Sequence, residues 1–204
     1  MRMLALKSDN DGETGIGQMI LFIAMILVSA VAAGLFIQTV SDLREQARET
    51  GEQTMIDVST GLTVVSATGD RNQDGTGSPS DYLEEIEIMV KLSAGSKPVD
   101  IENVVVVLTT TDSRAELAYA SSADASHFSA EEVRDPEETW SATKHVLSTG
   151  GLVKITIDPD YAELDMQIGA GEEIEIRMVP LHGSTCIIRK TTPSVFVDRF
   201  VNLS

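Results

Sequence analysis

The stretch TGIGQMILFIAMILVSAVAAGLFIQTVS, residues 14–41, carries no charged side chain, and its reading decides how the rest of the chain is organised. Between Met19 and Ile37 only Ser29 is polar. Such a run is long enough to cross the roughly 30 Å hydrocarbon layer of a bilayer as one helix. Being apolar on every side, it must be covered by lipid or by other helices. Ala24, Ser29, Ala30, Ala32, Ala33 and Gly34 thin the helix on several sides and allow close backbone approach, while Leu, Ile, Phe and Met supply interlocking bulk. At the entry, Arg2 and Lys7 are offset by Asp9 and Asp11, so there is no basic block. Ala32-Ala33-Gly34 leads into more helix-like sequence, so removal behind the apolar run by an ordinary signal peptidase is not expected.

The residues from Gly15 to Thr39, GIGQMILFIAMILVSAVAAGLFIQT, resemble the N-terminal helix of archaellins, the pilin-like subunits of the archaeal swimming filament. The resemblance implies a precursor cut in front of the apolar segment by a prepilin-type peptidase, after a Gly and with another Gly at the third mature position. Gly12 and Gly15 have that spacing, which makes Glu13 the mature N-terminus and residues 1–12 the leader; cutting after Gly15 is the alternative. Asn10 and Asp11 stand where family leaders usually carry Lys or Arg. The resemblance also implies self-assembly through the helix, with Ile16, Phe22, Ile23, Met25, Ala33 and Phe36 as assembly residues. The implied partners are further copies or related archaellins, the peptidase, the filament assembly and motor machinery, and the membrane before assembly. The implied location is an extracellular filament.

Beyond the apolar run, Leu43, Ala47, Met55, Val58, Leu62 and Val65 recur mostly at three- or four-residue steps. The filament-core helix is therefore expected to span residues 13–67, with Gly51 or Gly61 marking a bend or break. The remaining length suits one domain, expected over residues 82–204. Ile86, Ile88, Val90 and Leu92 alternate with Glu85, Glu87, Met89 and Lys91, and Ile174, Ile176 and Met178 alternate with Glu173, Glu175 and Arg177. Each pattern predicts a half-buried strand. Further strands are expected at residues 104–108, 152–157 and 194–201, separated by Gly, Pro and Asp turns. The fold class is thus α+β, a long N-terminal hydrophobic helix followed by an antiparallel β-sandwich, and the resemblance implies an immunoglobulin-like head. Residues 111–148, rich in Ala, Ser, Asp and Glu, read as long surface loops around one short strand, pinned by Trp140.

Fifteen basic against 32 acidic residues give a net charge of −17, which repels nucleic acid and anionic lipid headgroups. Cys186 is the single cysteine, so no intrachain disulfide can form. DRNQDGTGSPSD, residues 70–81, has the spacing of a calcium loop, a segment expected to run over residues 68–81. Asp70, Asn72, Asp74 and Asp81 would ligate Ca²⁺ through side chains, Thr76 through its carbonyl, and Ser78 directly or through water. An Asp/Asn/Gly turn with no ion is the other reading.

Catalysis has no support in the pattern, and no organic cofactor is expected. His127, His145 and His182 are isolated, without metal-ligand spacing or a neighbouring nucleophile motif. Gly15-Ile16-Gly17 follows no strand and lacks the third Gly of a dinucleotide fingerprint. The expectation is a structural subunit of a motility filament. An archaeal adhesion pilin and a non-polymerising, membrane-anchored calcium-binding surface protein stand as alternatives.

Overall fold

The computed structural model describes residues 11–203 except 74, 76, 142, 162, 163 and 165, and the side chains from Thr14 onward. The chain divides into two units, residues 1–52 and residues 53–204. The first unit is helical throughout its described part. Its helix α1 runs Asp11–Ser59, 49 residues, and so reaches about 73 Å at 1.5 Å per residue. Gly51 lies within it without interrupting it. Its end departs from the sequence expectation, because residues 62–67 are strand and not helix. Thr60 N–H still bonds to Ile56 O, but Gly61 N–H donates instead to Ser96 Oγ at 3.0 Å. Thr63, Val64 and Val65 then follow with the branched side chains that suit a pleated surface.

Among the described residues the head has twelve strands. β1 (Leu62–Asp70) pairs antiparallel with β2 (Glu85–Leu92), with a bulge between Val64 and Ser66 that leaves Val65 exposed. Short β3 (Val99–Asp100) leads through a 3-10 turn (Ile101–Asn103), whose N-terminus is capped by Asp100, into β4 (Val105–Thr109). Then come β5 (Arg114–Tyr119), β6 (His127–Arg134), β7 (Trp140–Ser141), β8 (Lys144–Leu147) and β9 (Leu152–Ile157). β10 (Glu173–Val179), β11 (Cys186–Thr191) and β12 (Phe200–Asn202) complete the order.

Nine strands form one continuous sheet in the order β11-β10-β4-β5-β6-β9-β2-β1-β12, while β3-β8-β7 form a small second sheet. Pairings in the large sheet are antiparallel except where β5 meets β6. That join is only two residues long, Ala118 opposite His127 and Tyr119 opposite Phe128. On either side of it the sheet halves contribute to one core: Val106, Leu108, Ile174, Ile176 and Met178 from one, Ile86, Ile88, Val90, Val153, Ile155 and Ile157 from the other. The halves therefore face each other as the layers of a sandwich. Ile86, Ile88 and Val90 are fully buried while Glu85, Glu87 and Met89 alternate outward, as the period of two requires.

Two other expectations change. Residues 111–148 hold β5 through β8 and are not loops around one strand. Residues 194–201 supply only the first two residues of the short β12, and Arg71 binds the backbone of the segment before it. Arg71 Nη1 donates to Asp198 O at 3.1 Å, and its guanidinium lies 4.7 Å over the Phe196 ring.

Candidate functional site

The candidate assembly surface is the apolar part of α1. From Ile16 to Ile37 every large apolar side chain is 53–71 % exposed, including Ile16, Phe22, Ile23, Met25 and Phe36. Ala33 is exposed as well. Fully burying one such large side chain contributes about 1.5–3 kcal/mol, so leaving this segment in water forgoes on the order of 20 kcal/mol or more. That exceeds the whole folding stability of an ordinary domain, about 5–15 kcal/mol, so a partner phase or partner helices must cover it. The helix is long and apolar enough to cross a membrane. Gly34 has open space where a Cβ would stand, which suits close helix approach. Of the cleavage residues, Gly12 and Glu13 lie in the first turn of α1 by their backbone, and residues 1–10 lie outside the described residues.

The loop after β1 behaves differently from a ready-made ion cage. Arg199 engages both oxygens of the buried Asp70 carboxylate, Nε to Oδ1 at 2.8 Å and Nη2 to Oδ2 at 2.6 Å. Asp70 Oδ1 also accepts from Asn72 N–H at 3.0 Å. The Arg199 pairing holds the Asp70 carboxyl below the usual carboxylate range against the opposing effect of burial. Asn72 turns its amide nitrogen toward Gly77 O at 3.4 Å, while Ser78 and Asp81 are exposed. Asp74 and Thr76 lie outside the described residues. Among the described residues no group of three or more His, Cys, Asp or Glu is placed to hold a metal ion. Asp70, one of the six predicted ligands, faces an internal cation, the Arg199 guanidinium, in this structure.

Around the same end, Glu84 Oε2 accepts from Gln73 N–H at 2.7 Å, and Asp158 Oδ2 accepts from Gln73 Nε2 at 3.4 Å. Burial pushes the carboxyls of Asp158 and Glu85 up. Elsewhere Trp140 pins its hairpin, its backbone N–H donating to Asp135 Oδ2 at 2.6 Å and its ring edge-on to His145 at 4.9 Å. His145 Nδ1 lies 2.6 Å from Glu102 Oε1. Cys186 is half-buried in β11, and burial pushes its thiol up. Arg199 was invisible to sequence reasoning, since it stands 129 positions from Asp70 and belongs to no motif.

An exposed apolar helix followed by a β-sandwich defines a class of proteins whose helix requires covering by lipid or by other helices. The sequence profile of archaeal-type flagellin matches residues 12–190, and the chain belongs to that family. It is a family of structural filament proteins and not an enzyme family. Flagellin B1 of Thermoplasma volcanium is 41 % identical over 119 residues, 58 % of this chain and 47 % of that protein. The chain thus spans about half the length of that relative. Flagellin B1 of Halobacterium salinarum is 27 % identical over 195 residues, covering 94 % of this chain and 93 % of the relative. The solved structure of the archaeal flagellum of Methanospirillum hungatei shares the fold, with a TM-score of 0.69 at 18 % identity over 93 % of this chain and 99 % of that one.

Proposed function

We propose that this chain is a structural subunit of the archaeal swimming filament, polymerising through α1 with further copies or with related archaellins. The observation that carries the proposal is the run of uncovered apolar side chains from Ile16 to Ile37, which needs other helices once it leaves the membrane. Membership of the archaeal-type flagellin family supports the same reading. In this proposal a prepilin-type peptidase removes residues 1–12 from a membrane-inserted precursor, the helices of many copies bundle into a dry core, and the heads form the outer layer of an extracellular filament. Separate motor proteins supply torque.

Electron microscopy of surface filaments, with mass spectrometry of the isolated subunit, tests the proposal. The expected subunit begins at Glu13. An intact leader in assembled material would overturn the processing step, a start at Ile16 would move only the bond, and the absence of this chain from filaments would overturn the function.

Calcium at residues 70–81 is a separate proposal. It requires the ion to displace Arg199 from Asp70, so the reading the geometry supports better is a loop closed by Arg199 itself.

A further inference from the structure

The head carries an apolar cup at one end and an apolar ridge at the other. The cup, about 340 Å³, is lined by Ile56, Thr60, Pro98, Val99 and Leu181, with Lys97 at its lip. Its wall is held by close backbone approach. Gly183, at φ +113°, packs where a Cβ would come within 2.6 Å of Thr60 O, and Ser184 N–H donates to that same oxygen at 2.8 Å. A side chain at 183 would push the wall away, so the sequence fixes Leu181 and His182 beside Thr60. His182 Nδ1 is in turn 3.0 Å from Gln53 Nε2. Leu181 nonetheless stands 67 % exposed on the lip.

The ridge is the segment between β11 and β12. Phe196 turns inward under Arg71, and the valines on either side of it, Val195 and Val197, are 69 % and 84 % exposed. Arg71 N–H bonds to Arg199 O at 3.2 Å, which fixes this segment beside the far end of β1. Strand β1 separates the two features: Thr60 and Gly61 precede it, Arg71 follows it, and its nine residues span about 27 Å. Cup and ridge are therefore at opposite ends of the head.

We infer that the ridge of one copy docks in the cup of the next, so that Val195 and Val197 cover Leu181 and Pro98 while Asp198 meets Lys97. Charge favours this occupant: the exposed Asp198 adjoins the ridge, and the exposed Lys97 stands on the lip of the cup. The carboxylate lining the cup, Asp100, is already used as the cap of the 3-10 turn, accepting from Glu102 N–H at 3.1 Å and from Asn103 Nδ2 at 2.8 Å, and nearby Asp57 lies 3.8 Å from His182 Nδ1. A contact between different ends of identical molecules is heterologous, and where its rotation does not close a ring it propagates as an open helix, which is the symmetry a filament needs. Each contact is small, but repetition along a polymer already held by its helices makes it effectively intramolecular. The inference rests on the polymeric reading above.

The test is disulfide capture in filaments of the full chain. Leu181→Cys and Val197→Cys are combined, with Cys186 left in place as the background thiol, and purified filaments are oxidised mildly. The expected result is a ladder of covalent dimers, trimers and higher species that neither single variant gives. Filaments of the double variant without a ladder, a ladder from a single variant, or linkage of the subunit to a different protein would each overturn the docking. Asp198→Lys provides a second reading that does not depend on new thiols: it should lower the temperature at which filaments shed subunits, and Lys97→Asp added to it should restore the wild-type value. No restoration would overturn the pairing. Failure of the wild-type chain to form filaments would instead remove the polymeric reading, so the two failures are distinguishable.

Discussion

Helix α1 and the head handle the same kind of side chain in opposite ways. Ile23 and Phe36 stand open on α1, whereas Ile88 and Phe128 are completely buried in the sandwich. The head satisfies its apolar surface within one chain, by folding a nine-stranded sheet onto itself. The helix cannot, because an isolated helix has no second layer. One chain therefore contains a part whose stability is intramolecular and a part whose stability depends on lipid or on neighbours.

The sharpest way to break that contrast is a charge on the helix. Ala33→Arg should abolish filaments while the head stays folded, since an unpaired charge in an apolar bundle costs several kcal/mol at every subunit. Electron microscopy gives the first readout and melting of the detergent-solubilised subunit the second. Normal filaments would mean that α1 does not line a dry core.

The complementary change is in the head. Phe128→Ala removes a fully buried ring that meets Tyr119 edge-on at 5.9 Å. It should cost about 3–5 kcal/mol and lower the melting temperature of the solubilised subunit by on the order of 10 °C. A change confined to filament stability, with the head melting as before, would contradict the assignment of this core to the single chain.

Arg199→Ala tests the loop. Stripping the buried Asp70 of its partner should lower the melting temperature of the solubilised subunit, by less than for a fully buried pair because the Arg199 side chain is partly exposed. The pH dependence has a definite sign. Because its folded value is depressed, Asp70 contributes stability above its unfolded value near about 3.9, and that stability is lost as pH falls through the folded value. The variant should lack this acid limb. Its wild-type parent should melt identically in excess calcium and in chelator; a drop on chelation, abolished by Asp74→Ala, would favour the ion instead.

The smallest expected effect is a gain. The Asp158 carboxyl is pushed up by burial, so its ionisation opposes folding, and stability is lost as pH rises from the unfolded value through the raised one. Asp158→Asn should raise the melting temperature at neutral pH by about 1–3 °C, with the difference from wild type vanishing below about pH 4. Destabilisation at neutral pH would show that the charge is needed in the Gln73 contact.

Much of this organisation is legible in the residues because short-range pattern determines it. The uncharged run at residues 14–41 announces α1, and the alternation of Ile with Glu announces β2 and β10. The end of α1 is misread because Leu62 and Val65 continue a helical spacing by coincidence. What ends the helix is Gly61 bonding to Ser96, 35 positions away. Strands β5 to β8 are hidden because charged residues such as Arg114, Glu116, Glu131 and Glu132 occupy their outer faces. The calcium spacing of residues 70–81 is real as a pattern, but spacing does not reveal that a guanidinium from the last strand region reaches Asp70 first. Contacts between distant residues are set by topology, which local sequence does not encode.

The central claim, that α1 is covered by copies of itself, is tested most directly by helical reconstruction of purified filaments by electron cryomicroscopy. Residues 16–37 of every subunit are expected to lie in a protein-only core, each in van der Waals contact with the same segment of neighbouring copies. Density for that segment in lipid, or in solvent at the filament surface, would contradict it.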